Sequence, residues 1–68
     1  MATKEAVFIE STEPTHPRIG EDVICKGYPV RFFGVYCKDD SFCAVEGLDK
    51  DGILDIWLTE MKYVTKKQ

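Results

Sequence analysis

The sequence predicts an all-β domain, a small five-stranded barrel with a short helical turn before its last strand. Three observations carry this. Residues 30–37, Val-Arg-Phe-Phe-Gly-Val-Tyr-Cys, are rich in β-branched and aromatic side chains that suit a pleated, half-buried surface. The polar break Lys38-Asp39-Asp40-Ser41 has turn chemistry, and residues 42–46 then read as the returning strand. A second hairpin signal, Asp51-Gly52, separates residues 42–46 from Ile53-Leu-Asp-Ile-Trp57.

The remaining elements fall around that hairpin. Residues 1–5 are polar and are expected to be disordered, and Ala6-Val-Phe-Ile9 is a short apolar run suited to adding an edge strand or to docking on a partner. Residues 11–17 contain two prolines among turn formers, so residues 1–17 read as a flexible arm and linker, with His16 a solvated loop residue. The barrel proper is expected over residues 18–65. Val23 and Cys25 alternate as the core face of a first strand, and Gly27-Tyr28-Pro29 reads as a loop because proline lacks a donor.

The long central strand is apolar on both faces. Strict alternation places Val30, Phe32, Gly34 and Tyr36 on one side and Arg31, Phe33, Val35 and Cys37 on the other. A small barrel buries one face, so the second needs cover from the chain's own tail, another subunit or a ligand. Gly34 is placed to allow a bend or bulge. Residues 58–62 fit one helical turn, Tyr63 and Val64 a closing strand, and residues 66–68 a frayed tail. Strands of this number and order, with a late helical turn, match an SH3-like barrel.

Composition narrows the function classes. Sixty-eight residues make one domain of a size at which a single core is only just sufficient, which favours association between copies. A net charge of −3 disfavours nucleic acid as a partner. No apolar run is long enough to span a membrane and no signal-peptide pattern opens the chain, so a cytoplasmic location is expected. Cys25, Cys37 and Cys43 all fall in expected strands and read as reduced, buried thiols acting as small hydrophobes, although Cys37 and Cys43 could face each other across the hairpin. With one histidine and no paired cysteine motif, no metal site is expected. Asp49-Lys-Asp51-Gly52 matches part of a calcium loop, but the bidentate position would fall on Leu58, so a plain turn is expected.

Short motifs carry a family resemblance. Ile19-Gly-Glu-Asp-Val23, Gly34-Val-Tyr-Cys37, Ala44-Val-Glu46 and Leu54-Asp-Ile-Trp57 follow one another in the order and spacing of the plasmid- and cassette-borne type II dihydrofolate reductases that confer trimethoprim resistance. The chain resembles that family over about residues 19–57. Members are SH3-like barrels whose four copies surround a pore holding NADPH and dihydrofolate. The resemblance implies a cofactor-binding set of Lys26, Asp55, Ile56 and Trp57. Ile56 keeps the family residue, Trp57 stands for its tyrosine and Asp55 for its glutamine, while the pore lysine aligns with Cys25 and leaves Lys26 one position off. Four Asp55 carboxylates would repel an anionic cofactor and an anionic folate. The fold is therefore expected to carry over and the reaction is not.

Three readings follow. The first is a non-catalytic binding and assembly module with no cofactor. It would self-associate and hold a protein or peptide through Tyr28, Phe33, Tyr36, Trp57 and Asp55, with Asp39 and Asp40 adding to an acidic rim. The second is the NADPH-dependent reductase tetramer. The third is a small regulator or inhibitor, carried on a mobile gene cassette or phage, that docks on a host protein. The first is preferred, because one histidine in a linker leaves no nucleophilic triad.

Overall fold

The computed structural model describes residues 7–67, so the expectation for residues 1–5 falls outside the described residues. The architecture is a mainly antiparallel β-sheet with strands β1 (Phe8–Ile9), β2 (Asp22–Cys25), β3 (Tyr28–Tyr36), β4 (Asp39–Leu48), β5 (Leu54–Glu60) and β6 (Val64–Lys66). One 3-10 turn, Met61–Tyr63, precedes β6. The strands lie in the order β5-β4-β3-β2-β6, with β1 added to β3. The hydrogen-bonded ladder does not close between β5 and β6, which form its two ends.

The expected central hairpin is present, with different ends. Its turn is Cys37 and Lys38, and Asp39, read from sequence as turn, already pairs with Tyr36. Local side-chain bonds secure the start of β4: the Ser41 N–H and hydroxyl both donate to Asp39 Oδ1, at 3.0 and 2.6 Å. The aspartate that signals a turn is thus spent on fixing the first strand residues.

Pro29, expected in a loop, is the second residue of β3 and pairs with Ile24. Proline is tolerated there because the pairing of β3 with β4 begins only at Arg31, so no second neighbour calls on its missing donor. Residues 26 and 27 make the tight link from β2, with Lys26 at φ 51° and Gly27 at φ 88°. Positive φ at both positions gives a turn whose twist matches that of the strands it joins.

The expected alternation of β3 holds only to Phe32. The register shifts between Phe32 and Gly34, and again between Val35 and Tyr36. The bulge resets the parity of the strand, so Val35 turns into the core, 3% exposed, while Phe33 is left 39% exposed. The core consists of Val23, Cys25, Val30, Phe32, Val35, Cys43 and Val45, with Met61 and Val64 packed against it.

The stretch read as an arm and linker has structure of its own. Phe8 pairs with Tyr36 and Ile9 with Val35, so β1 extends the side of β3 that β2 occupies lower down. Between these two strands, the Gly20 N–H donates to the Phe32 carbonyl and the Phe32 N–H to the Glu21 carbonyl, both at 2.8 Å. Gly34 lies under β1 at φ +122°, and a Cβ there would come within 2.9 Å of the Ile9 carbonyl oxygen. His16 is half-buried rather than solvated: its Nδ1 meets Ser11 Oγ at 2.8 Å, and Pro17 beside it is buried.

Residues 58–60, read as part of a helical turn, instead complete β5, and the 3-10 turn starts one residue later at Met61. The two-residue alternation that begins at Leu54 simply continues through Leu58.

Candidate functional site

An open, mainly apolar cleft of about 490 Å³ lies between the start of β3 and the β4–β5 hairpin. Its position follows from local chemistry. The tight turn at residues 26 and 27 brings Tyr28 to the first position of β3, where it is 72% exposed and stands beside Pro29. Across the cleft, Trp57 lies on the core side of β5, paired with Val45. Gly47 makes room for its ring: a Cβ at Gly47 would meet Val30 Cγ1 at 2.9 Å and Trp57 Cη2 at 3.0 Å. The indole therefore lies over the glycine and against Val30, with one side of the ring open to solvent.

Leu48, Asp49 and Lys50 complete the rim. The turn that carries them is held by Asp49, whose Oδ1 accepts the N–H groups of Asp51 and Ile53 at 2.8 and 2.9 Å. These bonds are the positive evidence for the plain turn expected at residues 49–52. The Asp49 carboxylate is thereby committed to the backbone, and Lys50 supplies the rim's free charge.

The structure separates the five residues expected to form one interface. Tyr28 and Trp57 share the cleft. Tyr36 belongs to a second hollow with Phe42 and Leu58, on the opposite side of the sheet, and its ring lies 6.1 Å from that of Phe8. Phe33 stands in the bulge of β3, outside both hollows. Asp55 faces Gly47 across the β4–β5 ladder, and its Oδ1 accepts the Ile56 N–H at 2.8 Å.

Asp39 and Asp40, expected in the same acidic rim, sit instead at the β3–β4 turn in a hollow with Ile9 and Tyr36. The two Ser41 hydrogen bonds hold the Asp39 carboxyl below its ordinary range. Lys26 lies apart from Trp57, with Nζ 4.4 Å above the centre of the Tyr63 ring. Within one chain, the four residues of the implied cofactor set therefore do not converge. Asp55 and Trp57 share one side of β5, Ile56 points to the other, and Lys26 is elsewhere.

Sequence reasoning missed Leu48, Leu54 and Leu58. On the outer side of the sheet Leu48 pairs with Leu54, Glu46 with Ile56 and Ala44 with Leu58. The four large apolar side chains of this row are 46–67% exposed and form a continuous apolar stripe left uncovered by the described residues. The signal was present as Leu54, Ile56 and Leu58 at a spacing of two. Reading Leu58 as helical cut it short.

The sulfur groups lie in the core or in a turn. Cys43 pairs with Val35 and is fully buried, whereas Cys37 is exposed in the turn, so the two do not face each other across the hairpin. Burial, with the neighbouring Cys25 adding to it, pushes the Cys43 thiol up to about 11. No helix among the described residues is long and apolar enough to cross a membrane. Comparison with protein-family models, with curated proteins and with solved structures finds no match for this chain.

Proposed function

We propose that this chain is an SH3-like barrel acting in the cytoplasm as a non-catalytic binding and assembly module, which self-associates and holds an extended protein segment in the Tyr28–Trp57 cleft. The observation that carries the reading is the open face of Trp57 opposite an exposed Tyr28 and Pro29. Flat, rigid rings lose little entropy on contact and offer both apolar area and a polar tip, which is what a peptide groove requires. The antiparallel order β5-β4-β3-β2-β6 and the 3-10 turn ahead of β6 support the barrel, in which sheet curvature would bring the two end strands toward each other. Three unpaired thiols are consistent with a reducing compartment.

The test is selection from a random peptide library on the immobilised chain, with Trp57 fluorescence as the binding signal. Sequences should be enriched on the wild type, should change the Trp57 emission, and should lose affinity about tenfold or more on Tyr28→Ala, an exposed position whose truncation leaves the core intact. A library that yields no peptide sensitive to Tyr28→Ala would remove the reading.

One observation favours the reductase as a second reading. Asp55 and Trp57 share one side of an end strand, so neighbouring copies could bring them around a common axis. NADPH titrated against Trp57 fluorescence decides it, since the reductase reading requires saturable quenching and a flat titration at millimolar cofactor dismisses it.

A further inference from the structure

We propose that the free edge of β5 pairs with the same strand of a second copy, antiparallel and centred on Ile56, giving a weak two-fold dimer with a continuous sheet. The inference deepens the self-association in the reading above, and rests on it; its pairing residues share only Trp57 with the peptide cleft.

The argument begins with the backbone. Phe32 directs its N–H and carbonyl toward the β2 side, through its bonds with Glu21 and Gly20. Alternation along the ladders then turns Arg31 and Glu46 toward each other, Val45 toward Trp57, and Leu54, Ile56 and Leu58 outward from the sheet. The Asp55 carboxylate found on the Ile56 N–H agrees with that direction. β5 is an end strand, so among the described residues no strand meets this row of donors and acceptors.

Charge and shape then choose the register. A two-fold axis normal to the sheet keeps each face on its own side, so residues pair only with others of the same face. Centred on Ile56, Leu54 pairs with Leu58, Ile56 with itself, and Asp55 with Trp57; no two like charges stand opposite each other. Centred on Asp55, two carboxylates would face each other. Centred on Trp57, Leu54 would face Glu60. Only the first arrangement sets the outer stripe wholly against itself, with every pair made by outward-directed backbone.

The edge covers on the order of 500 Å² per partner, at the small end of specific interfaces, so association is concentration-dependent. Asp55 competes with the second copy, because its carboxylate must leave the Ile56 N–H before a carbonyl can take its place. Being exposed, it is free to turn into solvent.

Sedimentation velocity of the full chain over a wide concentration range tests the proposal. The wild type should pass from monomer to dimer. Ile56→Lys should raise the midpoint about tenfold or more by setting two ammonium groups together on the axis, and Asp55→Ala should lower it about threefold or more. A gain that stops at dimer, reverses on dilution and leaves the urea midpoint unchanged separates edge pairing from aggregation of a damaged fold. Ile56→Cys in a Cys37→Ser background should cross-link to a disulfide dimer under oxidised glutathione, because only this register places residue 56 opposite itself. A wild type that stays monomeric at millimolar concentration, a dimer indifferent to both substitutions, or a dimer without the cross-link overturns the proposal. Peptide capture is scored on Tyr28→Ala and pairing on Ile56→Lys, so either reading can fail alone.

Discussion

Gly34 carries two requirements at one position. Its φ of +122° lies where side chains are rarely found, and a Cβ would come within 2.9 Å of the Ile9 carbonyl oxygen and 3.1 Å of its nitrogen. Neither obstacle is a flexible side chain, so Gly34→Ala should destabilise the fold by about 2–3 kcal/mol, measured by urea unfolding. Cys43 sets a pH dependence. In the unfolded chain the thiol ionises near 9.0, and in the core near about 11. Across that window the unfolded state releases a proton that the native state retains, so stability falls as pH rises, by about 2 kcal/mol between pH 8 and pH 10.5. Cys43→Ala, although less stable at neutral pH, should lack this part of the alkaline loss. Urea midpoints for both chains at pH 8 and pH 10.5 give the difference. Residue type within a strand pointed to buried thiols, which holds for Cys25 and Cys43 and fails for Cys37 in the turn, and to a bend or bulge at Gly34. It did not announce which backbone would lie on that glycine, because the contact spans some 25 positions.

Among the elements, β1 is the edge strand that the apolar run at residues 6–9 offered, paired with β3. It contributes only two residues, yet it lies over Gly34, and the Val7 carbonyl accepts the Cys37 N–H at 2.9 Å. Removing residues 1–10 should cost about 1–2 kcal/mol of stability and expose the amides of Val35 and Cys37 to faster hydrogen exchange. Unchanged exchange at those two amides would mean that β1 does not hold the edge. The β3–β4 pairing was legible from composition because branched and aromatic residues cluster on both sides of a polar break. Its turn was misplaced because aspartate and serine serve equally well in a turn or in bracing a strand's first residues, and the bonds from Ser41 to Asp39 do the second. The faces of β3 were legible as far as Phe32. Gly34 marked a place where a bulge could fall, but not that one would form, so strict alternation put Phe33 and Val35 on one face where the bulge separates them. For the same reason the aromatic residues were foreseen, but not their division between the Tyr28–Trp57 cleft and the Tyr36–Phe42–Leu58 hollow.

At the scale of the whole molecule, three adjoining strands, β3 to β5, follow one another through short turns, whereas β6 returns to β2 across most of the chain, with Ile24 opposite Thr65. The first set of contacts is cheap in loop entropy and the last is not. The chain therefore has a natural order of assembly: the three-strand meander can form as soon as its residues are together, and β2 gains its second neighbour only when the final segment arrives. During synthesis that segment leaves the ribosome after the other five strands. Until it emerges, the inner side of Val23 and Cys25 lacks the cover of Met61 and Val64, so the nascent chain waits with part of its core open.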